Sequence, residues 1–334
     1  DRDLGDKQAY PQIETNRWLE QDGVQIFYAS PGALNWESVL VQIRDTKPDY
    51  LYLNSMYSTC FTIYPLLMKR LGMIKGQVVL APRGMLKSTA VQYKTGKKQL
   101  FFKLLKWLRV QKQIIFHATD ATEETDIRNL FGKDVTIKQI TNFPPQQKAL
   151  QIINKQSGAI KIIFVGRVHP IKNLSFLLTC LQTITAKVQL TIVAAIEDEA
   201  YWIKCGDIIN NLTERVTVKL QQDIPHHQIE QLINDHHLFV LPTLGENFGH
   251  AIFEALSAGR PVLISDQTPW RNLQEYYAGW DLSLSDEAAF VRVLQQVAAM
   301  DDEAYQQWST GAWQYAKNFT ESSDLKEKYK ELFS

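Results

Sequence analysis

The stretch Leu238–Arg271 constrains this chain more than any other. Leu238–Leu241 is an unbroken apolar run, Pro242–Gly245 reads as a turn, and Asn247–Gly249 opens a helix. Ile252, Phe253, Ala255 and Leu256 give that helix one apolar face, Gly259 stops it, and Pro261–Ser265 is a second apolar run. Strands buried on both faces read as continuous hydrophobic residues, and two of them joined through a helix run parallel. The chain must therefore build an α/β sheet with helices on both sides.

The same alternation fills the rest of the sequence. Strands are predicted at Gln25–Tyr28, Asp49–Asn54, Gln77–Ala81, Gln113–His117 and Thr136–Ile140. Helices are predicted at Trp36–Asp45, Phe61–Leu71, Lys97–Val110 and Glu123–Phe131. Asn142-Phe143-Pro144-Pro145 and the polar stretch after it break the pattern, which places a domain boundary there. Beyond it, strands are expected at Ile160–Val165, Gln189–Ala194 and Val216–Leu220. Helices are expected at Asn173–Thr185, Glu199–Leu212, His227–Asn234, Ala288–Met300 and Glu303–Phe319, with a charged helical segment from Glu321. The expected domains are 1–145 and 146–315, with 316–334 a helix packing back on the first. At 334 residues, two cores fit the length better than one.

Composition narrows the function. Thirty-six Lys and Arg balance 36 Asp and Glu, so no polyelectrolyte signature for nucleic acid is present. The three cysteines, Cys60, Cys180 and Cys205, lie far apart without metal-ligand spacing. No apolar run reaches membrane-spanning length and no signal peptide is visible, so a cytoplasmic protein is expected.

Two carboxylates in the opening stretch need explanation. Glu246 lies in the turn before a helix N-terminus, and Glu254 lies among apolar residues two turns into that helix. A carboxylate in apolar surroundings costs several kcal/mol, roughly, unless it is hydrogen-bonded. Glu254 is either half exposed, paired with a base, or holding a ligand. The helix start at Asn247-Phe248-Gly249-His250 offers backbone N–H groups to an anion.

A second cluster follows the first strand beyond the boundary. In Gly166-Arg167-Val168-His169-Pro170-Ile171-Lys172-Asn173, two cations flank a helix start at the carboxyl end of a parallel strand. Open α/β sheets bind ligands there, and a diphosphate suits bidentate donors, a point charge and free amides. The plain alternative is two solvated surface cations. His169 reads as structural. In Ser265–Arg271, Thr268 suits an N-cap and Pro269 a first helical position, which predicts a further helix.

These two segments carry a resemblance. Glu246 and Glu254 match the Glu-x7-Glu motif of retaining glycosyltransferases of family 4, group 1, and the wording Pro-Thr-Leu-Gly-Glu-Asn-Phe-Gly-His and Gly-Arg-Val-His-Pro-Ile-Lys-Asn is similar to theirs. The resemblance implies the GT-B fold, two Rossmann-like doubly wound domains facing a cleft. The family's usual first strand and its Gly-rich loop are absent, so an incomplete N-terminal domain is expected. It implies transfer of a sugar from a nucleoside-diphosphate sugar to a glycan or lipid-linked acceptor, in cell-surface polysaccharide or lipopolysaccharide synthesis, with no cofactor and no metal. Glu246, Arg167 and Lys172 take the expected catalytic positions. Gly166, Asn247, Phe248, Gly249, His250 and Glu254 take the donor-binding ones, Glu254 holding the ribose. A catalytically silent nucleotide-sugar-binding or scaffold protein of the same fold is the alternative.

Two departures from the family stand out. Ala194-Ala195 occupies a strand end where relatives carry Gly. In Pro82-Arg83-Gly84, Arg83 stands where many relatives have a His near the donor sugar, and Arg cannot act as a base near neutrality. Arg83, Gly84 and His117 are the candidate cleft residues of the first domain. Finally, Arg83 to Thr119 contains nine Lys or Arg and no acid. In 97–112, Phe101, Leu104, Leu105 and Leu108 share a helical face flanked by Lys98, Lys106, Arg109 and Lys112. This reads either as a core-packed amphipathic helix or as one docking on an anionic membrane at its inner face.

Overall fold

The computed structural model describes residues 9–10, 13–86, 102–103, 105–145, 147, 149–322 and 324–334. They form two compact units, Asp1–Thr141 with Tyr329–Ser334, and Asn142–Lys328. Each has its own hydrophobic core.

In the first unit, β1 (Trp18–Gln21) and β2 (Val24–Phe27) form an antiparallel hairpin. Its turn is Asp22-Gly23, both at positive φ, the backbone that a two-residue hairpin requires. Then come α1 (Trp36–Thr46), β3 (Tyr50–Leu53), a π turn at Thr59–Ile63, α2 (Tyr64–Arg70), β4 (Gln77–Leu80), β5 (Ile114–Ala118), α3 (Ala121–Phe131) and β6 (Thr136–Gln139). Strands β3-β4-β5-β6 pair in that order, all parallel. The predicted helix Phe61–Leu71 is thus split, because the Ser58 hydroxyl caps a widened turn before Pro65. Of the segment 97–112, residues 97–101 and 104 lie outside the described residues; 102–103 and 105–107 are helical. Phe102 and Leu105 are buried in the core, whereas Trp107 is 77% exposed beside exposed Lys103 and Lys106.

The second unit runs β7 (Ala159–Val168), α4 (Leu174–Gln182), β8 (Lys187–Ile196), α5 (Glu199–Asn210), β9 (Val216–Gln221), α6 (His226–Asn234), β10 (Leu238–Leu241), α7 (His250–Ser257), β11 (Val262–Ser265), β12 (Gly279–Leu282), α8 (Glu287–Ala299) and α9 (Asp302–Ser322). Helix α10 (Leu325–Leu332) leads into the last residues. The sheet order is β12-β11-β10-β7-β8-β9, wholly parallel. The chain lays down β7, β8, β9 in one direction, then returns beside β7 to lay down β10, β11, β12 in the other. The switch point therefore lies between β7 and β10, where two adjacent crossovers diverge and leave a crevice at the carboxyl ends.

The helix predicted from Thr268 does not form. Thr268 Oγ1 accepts the amide of Trp270, two residues on, in a turn that does not continue. Asn272 then adopts φ 56°, a left-handed conformation that ends any helix. Strand β12, which the sequence reading missed, follows. A Cβ at Gly279 would lie 2.1 Å from the Val262 carbonyl oxygen, so only glycine lets β12 close on β11.

Candidate functional site

The crevice of the second unit gathers three loops. Strand β7 ends at Gly166-Arg167-Val168, and a 3-10 turn, Pro170–Lys172, leads to Asn173 at φ 56°. His169 is the cap of that turn, its Nδ1 accepting the Ile171 amide at 3.2 Å. Beside it, β10 feeds Pro242–Gly245, and β11 feeds Asp266–Gln267.

Thr243 staples the loops, and sequence reading did not single it out. Its buried hydroxyl donates to Ile171 O at 3.0 Å and accepts the Gly245 amide at 3.2 Å. The Leu244 amide also reaches Ile171 O, at 2.7 Å. Buried Ser265 donates to Thr243 O at 2.5 Å, and the Glu246 amide bonds Gln267 O at 3.0 Å. Polar groups buried in this way must be paired, so the hydroxyls fix the loop spacing. A Thr and a Ser at strand ends were the readable signal.

On this frame Lys172 Nζ forms an ion pair with Glu246 Oε1, at side-chain exposures of 17% and 12%. The Lys172 stem lies along Gly166, within van der Waals reach of where a Cβ there would stand. Arg167 is tethered differently: its Nη1 bonds Glu197 Oε2 at the end of β8, with both side chains about half exposed. The Glu197 and Asp198 amides bond Val168 O, which holds that tether in place. Glu197 is a second residue that the sequence did not mark.

The entrance to α7 is set by an aromatic cluster. Phe248 and Trp270 are buried, with ring centroids 5.2 Å apart, and Phe253 and Phe319 pack against both. Trp270 Nε1 donates to Phe248 O at 2.6 Å. In a trans peptide the carbonyl and the following N–H point in opposite directions, so this bond turns the Gly249 amide away from the core. Gly249 adopts φ 77°, and a Cβ there would lie 2.8 Å from Ile252 Cδ1. The first helical amides to find carbonyls in the turn are those of Ile252 and Phe253, both on Gly249 O. The amides before them face the start of the helix, where an anion is favoured. His250 is exposed with its ring 4.8 Å from Phe248, and Asn247 is half buried. Glu254 is half buried on α7, away from Ile252, Phe253, Ala255 and Leu256, which face the core.

The opposite end of this sheet also has a concavity, of about 960 Å³, beside Lys161, Lys187 and Arg215. It lies at the amino ends of β7 and β8. At the carboxyl ends, by contrast, the half-buried Lys172 and the start of α7 converge, the arrangement that open α/β sheets use for ligands.

In the first unit the structure brings Arg83, Gly84 and His117 together at the carboxyl ends of β4 and β5. His117 is buried beneath Arg83, not open to a ligand. Its Nε2 bonds Ile140 O at 2.7 Å and its Nδ1 meets Tyr52 Oη at 2.6 Å. Burial lowers its pKa to about 4. Arg83 donates from Nε to Asn54 Oδ1 at 2.7 Å and from Nη2 to Tyr52 Oη at 2.9 Å. Among the described residues no three His, Cys, Asp or Glu cluster to hold a metal ion, and no helix is long and apolar enough to cross a membrane.

Residues 159–299 match the family described as Glycosyl transferases group 1. A comparison with curated proteins gave no match. Solved structures of similar fold include Anabaena Alr3699/HepE in complex with UDP and glucose, at 16% identity and a TM-score of 0.65, covering 89% of this chain and 80% of that one. The sucrose-phosphate synthase (tll1590) of Thermosynechococcus elongatus has 16% identity and a TM-score of 0.66, over 98% and 85%. WaaG, a glycosyltransferase involved in lipopolysaccharide biosynthesis, has 13% identity and a TM-score of 0.60, over 88% and 93%. These likenesses show the GT-B fold.

Proposed function

We propose, on the premise that residues 159–299 belong to the group 1 glycosyl transferases, that this chain moves a sugar from a nucleoside-diphosphate sugar to an acceptor hydroxyl with retention at the anomeric carbon. The observation that carries the reading is the Lys172–Glu246 ion pair at the sheet's switch point, beside the start of α7. The fold neighbour HepE, crystallised with UDP and glucose, supports a nucleotide-sugar donor.

Lys172 and Arg167 take the diphosphate, with the amides at Phe248 and Gly249 completing its surroundings. As the bond from the anomeric carbon to the diphosphate breaks, charge grows on the leaving oxygens. Fixed cations and amides stabilise that charge more than they stabilise the bound donor. The acceptor oxygen bonds the anomeric carbon from the same face, and its proton passes to a diphosphate oxygen. No side-chain base is then needed, which agrees with the buried, occupied His117. The two cations supply the neutralisation a divalent ion would otherwise give. Glu246, held by Lys172, accepts hydroxyls of the donor sugar, and Glu254 those of the ribose.

Residues 1–145 form the acceptor side in this reading, and the acceptor is a glycan or lipid-linked sugar of a cell-surface polymer. The exposed Lys103, Lys106 and Trp107 favour docking of the segment 97–112 on an anionic membrane from the cytoplasmic face. Nucleoside-diphosphate release from a panel of UDP, GDP and ADP sugars, with the product anomer read by NMR, tests the whole. Donor binding without release, even with mixed acceptors, would instead establish the silent binding protein.

A further inference from the structure

The cluster around Arg83 has a direction. The Ile140 carbonyl can only accept, so His117 Nε2 carries the proton and Nδ1 is bare. Tyr52 must therefore donate its hydroxyl proton to Nδ1, which leaves its oxygen to accept Arg83 Nη2–H. Each bond in the series Arg83, Tyr52, His117, Ile140 thus has one possible sense. Tyr52 is pushed up to about 12 and His117 down to about 4, both chiefly by burial, so the series stays neutral and Arg83 holds its only charge.

The guanidinium is also fixed at its backbone. Arg83 adopts φ 54°, a left-handed conformation that costs a non-glycine residue and persists only when its surroundings impose it. Glu123 imposes it. This buried carboxylate accepts the Gly84 amide at 2.5 Å on Oε1, and the Thr119 amide and hydroxyl at 2.8 and 2.7 Å on Oε2. With its two oxygens turned to those donors, Glu123 does not pair with Arg83. The tail seals the other side: Phe333 packs edge-on against Tyr52 and Tyr329 against His117. Arg83 itself is half exposed, forms no ion pair among the described residues, and has Nη1 unoccupied by any of them.

A cation held by two neutral anchors, with no counter-ion among the described residues, is suited to meet an anion from outside. We propose that Arg83 is the recognition group of an oxyanion site in the first unit, taking a phosphate or carboxylate group, with Tyr52, His117 and Asn54 as its positioning residues. The site does not depend on the transfer reaction. A guanidinium fork already oriented loses less freedom on binding than a free side chain, and so binds more tightly.

The test is NMR of the whole chain labelled with 15N-arginine. The Arg83 Nε–H signal is assigned by its loss in Arg83→Lys and, where that variant folds, in Arg83→Gln. Sodium phosphate and sodium acetate are titrated against sodium chloride, with and without saturating UDP. The expected result is a saturable shift of the Arg83 signal with phosphate or acetate and none with chloride. Tyr52→Phe, folded by circular dichroism, should weaken that binding about fivefold, the worth of one hydrogen bond. A shift with UDP but none with phosphate or acetate overturns a separate oxyanion site. A shift with phosphate on top of UDP assigns it to an anionic acceptor. A signal that follows all three salts alike, or binding unchanged in Tyr52→Phe, overturns the proposal.

Discussion

Lys172 and Glu246, 74 residues apart, form an ion pair across the one point where the second unit's sheet reverses its strand order. Each comes from the carboxyl end of a different strand, β7 and β10. The pair is mostly shielded from solvent, so each group suffers if its partner is removed. Lys172→Ala should lower kcat by about 100-fold, the scale of deleting one donor to a developing charge. Glu246→Gln should keep the loop in place yet lower the rate, because Lys172 loses its partner and the sugar its acceptor. Steady-state kinetics on both variants, with equal far-UV circular dichroism, checks this.

Trp270 acts on the site through Phe248. Trp270→Phe keeps the aromatic packing but removes the Nε1–H bonded to Phe248 O. A buried carbonyl left without its donor costs about 1–3 kcal/mol. Chemical denaturation should show a loss on this scale, and the donor KM should rise more than kcat falls, since the Gly249 amide is no longer fixed.

Three buried histidines set an acid limit, His236 among them, its pKa also lowered chiefly by burial. Burial lowers His117 in the first unit and His237 in the second to about 4. The native rings stay neutral, whereas the unfolded chain binds protons below about pH 6.5. Stability is therefore whole above that pH and falls as pH drops toward 4, by up to about 1.4 kcal/mol per unit and per ring. Denaturation curves between pH 7 and 4.5, and a shallower slope in His117→Gln, check the effect.

Exposed Lys103, Lys106 and Trp107 predict binding to vesicles containing anionic lipid. Co-sedimentation should fall with added salt and in a Lys103→Glu, Lys106→Glu double variant. Equal binding to neutral vesicles would count against it.

Legibility followed the physics of each element. Strands β7, β10 and β11 are buried on both faces, so their apolar runs are plain in the sequence. Strand β12 is not, because Gly279, Trp280 and Asp281 break any run; its glycine answers to Val262, a neighbour only in the fold. The Asp22-Gly23 turn was a readable signal for the hairpin partner at Trp18–Gln21. Thr268-Pro269 carries true helix-start residues, but burying the Trp270 ring and the left-handed Asn272 outweigh that local preference. At the site, residue types on one loop were readable, whereas pairings between loops were not. Arg167 with Glu197, Lys172 with Glu246 and Arg83 with Tyr52 join segments 30 to 74 residues apart. Arg83 and His117 looked like two independent cleft groups, because nothing local says that one lies beneath the other.

The central claim is that the ligand occupies the carboxyl ends of the second unit's strands. The most direct measurement is the calorimetric Kd of UDP, GDP and ADP for the unaltered chain, for Lys172→Met and for Lys161→Met. Lys161 lies at the opposite strand ends, in the concavity of about 960 Å³. The account predicts that one nucleotide binds, that Lys172→Met weakens it at least about tenfold, the loss of one charge-assisted hydrogen bond, and that Lys161→Met leaves it unchanged. Binding that survives Lys172→Met, or that is lost in Lys161→Met, would contradict it.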